Sequence, residues 1–375
     1  MAKQSSKENE AVSRKISTLH TAYSIVRCAI CAVLPKNKWL RRTFVACLAL
    51  VIVALLGMYG IARWYQQSTK NQPVSLGVSF IAPYASYLGL DPHQTYLAIL
   101  DDLHVKQLRL VSYWDQIEPI QGQYDFTELD WEMQQAASHG AKVSLSIGLR
   151  QPRWPECHAP DWINTTEPLA QWQPQLQTFM ATVIHRYKNS AALASYQLEN
   201  EFYLRNFGTC TDSSQSRLVS EFNMVKKIDH THPIIMSRSD NFPEWPPLQP
   251  EADLTGMSVY RRVWDSTVSK RYFSYPLPSW YYAFLAGVQK IRTGHDSVLH
   301  ELQTEAWAPD GKGIPDISLA EQNKSFNAAR LKSTVAFGEQ TGLKHIDLWG
   351  AEYWYYRMQT LHDPSVWNEA KTIFK

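Results

Sequence analysis

The sequence predicts an α/β fold, a (β/α)8 TIM barrel preceded by a single N-terminal transmembrane helix. Three observations carry that expectation. From Val74 onward, short apolar runs alternate with stretches of helical period, the pattern of parallel strands separated by helices. Glu201 and Glu301 close runs that count as the fourth and seventh strands, and this barrel carries its chemistry on the C-terminal ends of its strands. Upstream, Phe44 to Ala62 is an unbroken stretch without a charged residue.

The elements run in chain order. A first strand at Ser75 to Ile81 leads to a helix from His93 to Leu103, and a second at Gln107 to Ser112 leads to a helix from Thr127 to His139. The third, Lys142 to Gly148, precedes a long helical pattern from Leu169 to Tyr187, and the fourth, Ala194 to Asn200, precedes a helix from Ser216 to Ile228. After the fifth strand, Pro233 to Ser237, a stretch with Pro243, Pro246, Pro247 and Pro250 stands in for a regular helix, because proline lacks the N–H a helix needs. The sixth strand is Leu254 to Tyr260, followed by a helix over Pro278 to Ile291. Ser297 to Glu301 forms the seventh strand, with one long helix from Leu319 to Thr341 after it. His345 to Gly350 is the eighth strand, and a helix over Ser365 to Phe374 closes the ring. A doubly wound open sheet is the competing fold, but no Gly-rich phosphate loop follows the first strand.

At ~1.5 Å of rise per residue, Phe44 to Ala62 is long enough to cross a hydrocarbon core of ~30 Å. Before it stand nine basic residues against two acidic ones, so that segment is +7; the whole chain is +2, which leaves −5 for the rest. Basic residues flanking a first span stay on the cytoplasmic side, so the expected topology is N-terminus inside and barrel outside. The expected organisation is a basic cytoplasmic segment over 1–43, a signal anchor over 44–62, a polar stalk over 63–73 and the barrel over 74–375. A cleaved signal peptide fits less well, since its apolar region is shorter and nearer the start. Of five cysteines only Cys157 and Cys210 fall in the exported part, on neighbouring loops, where an oxidising compartment permits a disulfide between them. Cys28 and Cys31 have CxxC spacing without a second pair or histidine cluster to make a zinc site.

The segment Gln197-Leu198-Glu199-Asn200-Glu201-Phe202 sets a carboxylate directly after an amide at the end of a buried strand. Glu199 shares the face of Glu201 by strand alternation but lies deeper. Downstream, His300-Glu301-Leu302-Gln303-Thr304-Glu305-Ala306-Trp307 offers two further carboxylates. These segments resemble glycoside hydrolase clan A, the retaining (β/α)8 glycosidases that include cellulases, mannanases and β-galactosidases. The resemblance implies an acid/base at Glu201 after Asn200 and a nucleophile ending the seventh strand. Counting places that nucleophile at Glu301, while Thr304-Glu305-Ala306-Trp307 is similar to the nucleophile segment of some family 35 enzymes and keeps Glu305 as the alternative. A retaining hydrolase needs one protonated and one ionised carboxyl group ~5 Å apart, and their mutual repulsion helps to keep the first protonated. Asn200 would meet the sugar 2-hydroxyl.

The resemblance extends to Arg109, followed by Trp114-Asp115-Gln116-Ile117-Glu118-Pro119, and implies a fixed cation beside the nucleophile. By the same likeness Tyr260 hydrogen-bonds the nucleophile and Trp349 forms the platform under the reacting sugar. Fourteen tryptophans and nineteen tyrosines are many for this length, and Trp114 and Trp307 follow strand ends, where aromatic faces can line sugar subsites. No HExxH, P-loop or Gly-x-Ser-x-Gly elbow is present, so neither a metal nor a cofactor is expected, and His300 reads as a strand residue. The slightly acidic exported part does not suit nucleic acid as a partner, and none is expected. The expectation is therefore a membrane-anchored retaining β-glycosidase acting on β-linked oligo- or polysaccharide. The alternatives are a barrel that binds carbohydrate without catalysis and a wall-remodelling transglycosidase.

Overall fold

The computed structural model describes residues 37–205, 207–239 and 249–375. The basic segment as far as residue 36, with Cys28 and Cys31, and the prolines at 243, 246 and 247 lie outside them. By its contacts the chain divides into a unit at Met1–Gly60 and a unit at Ile61–Lys375.

Helix α1 (Lys38–Thr69) is long and apolar enough to cross a membrane by length and composition, and no residue of its central apolar window is buried. Residues 61–69 of this helix belong to the second unit and dock there. Ala62, Tyr65 and Thr69 are buried, Gln66 Nε2 donates to the carbonyl of Gln340, and Thr69 Oγ1 donates to that of Gly342. The stretch expected as a stalk from 63 is thus helical to Thr69 and packed. Buried Tyr65 marks the docking side of a segment that reads as merely polar in composition.

The second unit is a closed barrel of eight parallel strands. They are β1 (Ser75–Ser79), β2 (Gln107–Val111), β3 (Lys142–Ile147), β4 (Leu193–Leu198), β5 (Ile234–Ser239), β6 (Leu254–Val259), β9 (Ser297–Gln303) and β10 (His345–Trp349). Ser75 pairs with His345 to close the ring. Between β6 and β9 a short antiparallel hairpin, β7 (Arg262–Asp265) and β8 (Arg271–Ser274), was not anticipated, because four-residue strands outside the barrel leave too short an alternation to recognise.

The layer of helices comprises α2 (Ala82–Tyr87), α3 (Pro92–Asp101), α4 (Trp114–Ile117), α5 (Thr127–Ser138), α6 (Leu169–Tyr187) and α7 (Gln215–Ile228). It continues with α8 (Ser279–Thr293), α9 (Leu319–Ser325), α10 (Ala328–Gln340), α11 (Ala351–Gln359) and α12 (Ser365–Ile373). The long helix expected over Leu319 to Thr341 is two helices, since Asn327 turns extended and caps α10 by accepting from the N–H of Arg330.

Two local features shape the mouth of the barrel. In β9 the pairing steps from Met257–Leu299 to Ser258–Glu301, so one extra residue sits in β9, and the step recurs against β10. Such a bulge re-aims side chains. It lets consecutive residues His300 and Glu301 both meet groups inside the barrel, while Leu302 would touch a Cβ added to Gly338 on α10. Cys157 and Cys210 form a disulfide with their Cα atoms 5.2 Å apart, tying the loop after β3 to the loop after β4 across 53 residues of sequence. Closing a loop of that length removes unfolded-state entropy worth about 4 kcal/mol by the chain-entropy relation. Cys157→Ser is therefore expected to lower the melting temperature by several degrees. An unchanged transition, or free thiols at both positions in non-reducing mass mapping, would count against the bridge.

Candidate active site

The mouth of the barrel holds a cavity of about 660 Å³, lined by Glu201, Glu301 and Glu305 among carboxylates and by Tyr260, Trp307 and Trp349 among aromatics. That is a usual size for a small-molecule or oligomer site, ~300–1,000 Å³.

The frame under this cavity is Arg109 on β2, which is 1% exposed. Its Nε donates to Gln197 at 2.6 Å, Nη1 to Glu301 Oε1 at 2.7 Å and to the carbonyl of His300 at 3.3 Å, and Nη2 to Asn200 Oδ1 at 2.9 Å. One planar guanidinium thus fixes the strand carrying Glu301 against the turn carrying Asn200. The other oxygen of Glu301 accepts from the Tyr260 hydroxyl at 2.8 Å. Burial, and then the charge of Glu301, hold that phenol well above its ordinary pKa, so it stays a donor.

β4 ends at Leu198, and the next residues form a turn in which Glu199 (φ 56°) and Glu201 (φ 41°) are both left-handed. Strand alternation therefore does not relate them, contrary to expectation. The Glu199 carboxylate accepts from the backbone N–H groups of Leu149 and Arg150 and pairs with Arg217 at 3.0 Å, so it anchors the turn. Gly148 is required opposite it, since a Cβ there would fall on that carboxylate. Glu201 donates its N–H to Ser237 Oγ at 3.0 Å, and its Oε1 is buried with no hydrogen-bond partner among the described residues. Burial, then the charges of Glu301 and Glu156, push the Glu201 carboxyl well above the usual carboxylate range. Asn200 Nδ2 donates to Glu156 at 2.9 Å. Glu156, on the loop after β3, is itself pushed up to about 7 by burial against the lowering effect of Arg150.

Glu305 lies past the end of β9 and is differently engaged. Arg153 reaches its two oxygens at 2.8 and 3.2 Å, and the Trp349 indole N–H donates to it at 2.9 Å. The Arg153 guanidinium also lies over the rings of Tyr84 and Trp349, at 3.5 and 4.2 Å.

Arg109, Asn200, Glu201, Tyr260, Glu301, Glu305, Trp307 and Trp349 are thus gathered at one barrel mouth. Trp114 is not. It is fully buried, donates its indole N–H to Glu118 at 2.7 Å and packs against Trp162 and Phe179, so it is a core residue unable to line a subsite. Sequence reading missed Arg153 and Glu156, which sit on an irregular loop without period, and the cavity wall supplied by the hairpin through Val263 and Phe273. The described residues also hold one cluster with metal-ligating groups, His300, His345 and Asp347. Its members already hydrogen-bond one another, Asp347 accepting at 2.6 Å from His300 and at 2.9 Å from His345.

The family 42 glycoside hydrolase model, described as beta-galactosidase, matches residues 92–231, which include Arg109, Asn200 and Glu201. By that match the chain resembles the clan A glycoside hydrolases. The match covers little more than a third of it, so family 42 itself is not assigned. In sequence, no curated protein matches. Among solved structures, the chain is similar to a β-galactosidase from the psychrophilic Marinomonas ef1 (TM-score 0.54, 11% identity, 80% of this chain and 59% of that one). It is similar also to a GH5_18 protein from Bifidobacterium longum subsp. longum in complex with Manb1-4GlcNAc (0.54, 12%, 74% and 68%). A third is xylanase 10C from Cellvibrio japonicus in complex with xylopentaose (0.51, 14%, 79% and 63%). The chain spans less than two thirds of the galactosidase and xylanase chains, and at these identities the likeness speaks for the fold alone.

Proposed function

We propose that this protein is a membrane-anchored retaining β-glycosidase of clan A that cleaves β-linked oligo- or polysaccharide, with Glu201 as acid/base and Glu301 as nucleophile. The observation that carries the assignment is the contrast between the two carboxyl groups of one cavity. Glu301 accepts two hydrogen bonds, one from a buried arginine, while Glu201 has a buried, unpartnered oxygen and a raised pKa. That is the division of labour double displacement needs.

In the first step Glu301 attacks C1 as the bond to the departing oxygen breaks, and Glu201 gives that oxygen its proton. In the second, Glu201 takes a proton from water, whose oxygen attacks C1 and releases Glu301. Tyr260 and Arg109 hold the nucleophile's oxygens in place, and Trp349 and Trp307 offer ring faces for sugar C–H groups. Glu305, held by Arg153 and Trp349, is a polar contact for a sugar hydroxyl. The exposed Trp154, packed edge-on against Phe207, extends the aromatic lining outward and suits a substrate of several rings.

The test is hydrolysis by the full-length protein of β-linked polysaccharides and aryl β-glycosides, with Glu201→Gln in parallel. The variant is expected to lose ~10²–10⁴-fold in kcat/KM on unactivated substrates, the usual worth of general acid catalysis. Because the acid must be protonated, wild-type activity holds below the raised pKa of Glu201 and falls as pH rises through it. Glu201→Gln should lack that alkaline limb. Full activity in the variant would remove the role from Glu201.

The anchor assignment rests on α1 and on the basic residues preceding it. The full-length protein is expected to stay in the membrane fraction after alkaline carbonate extraction, with the barrel open to protease added outside the cell. Release by carbonate would contradict an integral anchor.

A further inference from the structure

A second cavity, of about 250 Å³, lies on the outer side of β7 and β8, and its lining includes Arg261, Arg262 and Arg330 but no carboxylate. All three arginines are half-buried. None has an acidic partner within ion-pair distance among the described residues: Arg261 donates to the carbonyl of Leu277, and Arg262 to the carbonyl of Lys324 and to Ser274 Oγ. Three guanidinium groups gathered without a counter-charge are unfavourable in a unit that is otherwise slightly acidic. Burial and the nearby charge of Arg262 lower the pKa of Arg330 accordingly. The rest of the lining is rich in donors, with Ser274, Ser325, Ser333 and Thr334.

We propose that this cavity is an anion site, taking an oxyanion such as a sulfate or phosphate group through the forked donors of Arg330 and the remaining donors of Arg262. An oxyanion supplies both the missing charge and the paired acceptor oxygens that guanidinium groups match. Its position gives it a consequence for the cleft. In the hairpin, Arg262 pairs with Ser274, and Val263 with Phe273. The pair Arg262 and Ser274 lines the anion cavity, while Val263 and Phe273, with Trp264, wall the catalytic cleft. An anion bound behind the hairpin braces one wall of the cleft. It is either a free ion or an acidic group carried by a saccharide.

The test is calorimetric titration of the full-length protein in detergent with inorganic sulfate, at ionic strength held constant with chloride. Saturable binding of one sulfate per chain is expected, weakened at least tenfold in Arg262→Gln/Arg330→Gln. A sulfated oligosaccharide bound more tightly than sulfate, again through these arginines, places the anion on a saccharide; equal or weaker binding makes it a free ion. No saturable sulfate binding, or binding unchanged in the double variant, overturns the site. The Arg330→Gln variant adds a check independent of any ligand. In sulfate-free buffer it should melt no lower than wild type, because an uncompensated cation has been removed, and a clear drop would mean that Arg330 has a counter-charge within the protein. None of these readouts depends on glycosidase activity.

Discussion

Replacing Glu301 with alanine is expected to abolish turnover on every glycoside the enzyme accepts and to leave the barrel folded. The carboxylate sits where two donors hold it, Arg109 at 2.7 Å and Tyr260 at 2.8 Å, facing a cavity it shares with Glu201. In the proposed mechanism no covalent intermediate forms without it. The vacancy left by the shortened side chain gives the experiment its specificity. Added azide can enter on the nucleophile's side, attack C1 with inversion and convert an activated aryl β-glycoside into the α-glycosyl azide. In Glu201→Gln the intermediate still forms, azide attacks it from the opposite side, and the product is the β-glycosyl azide. The same reagent thus separates the roles by product stereochemistry. Glu305→Gln is the contrast. Its partners Arg153 and Trp349 belong to the cavity wall, so its loss is expected to raise KM more than it lowers kcat. An α-glycosyl azide from a Glu305→Ala variant, with Glu301→Ala giving none, would reverse the assignment.

That choice between Glu301 and Glu305 shows where the sequence stops being legible. The barrel is readable because parallel strands buried on both faces appear as short continuous apolar runs between helical stretches. Leu169–Tyr187 is helical over the span its period predicts. Glu201 is readable because an amide and a carboxylate follow a countable strand. The end of the seventh barrel strand is not, because β9 runs on to Gln303 and Glu301 reaches the interior through a bulge. One inserted residue changes which side chains face inward and leaves no mark on hydrophobic period. Glu199 misleads for a related reason: two left-handed residues end the alternation just where the motif begins. Trp114 misleads differently, since a tryptophan after a strand looks the same in sequence whether it meets a sugar or, as here, Trp162 and Phe179. Arg153 and Glu156 carry no period at all, and only the folded loop brings them to Glu305 and Asn200.

Arg109→Met is expected to be the most damaging single change outside the carboxylates, because it removes a cation that serves four acceptors at once: Gln197, the His300 carbonyl, Glu301 and Asn200. The ion pair is almost wholly buried, at 1% and 4% side-chain exposure, so removing one partner strands a charge in a place water does not reach. Breaking such a pair costs ~3–5 kcal/mol, although the intact pair adds much less net stability than that. The loss should therefore be partly recovered in Arg109→Met/Glu301→Gln, where neither charge remains, and chemical denaturation of the four proteins measures that coupling. Arg109→Lys is expected to keep a charge near Glu301 but to lose the link to Asn200, since one ammonium cannot reproduce a planar fork. Its kcat should fall while the fold survives. If instead Arg109→Met unfolds within about 1 kcal/mol of wild type and retains its turnover, the guanidinium neither holds the nucleophile nor joins β2 to the turn after β4.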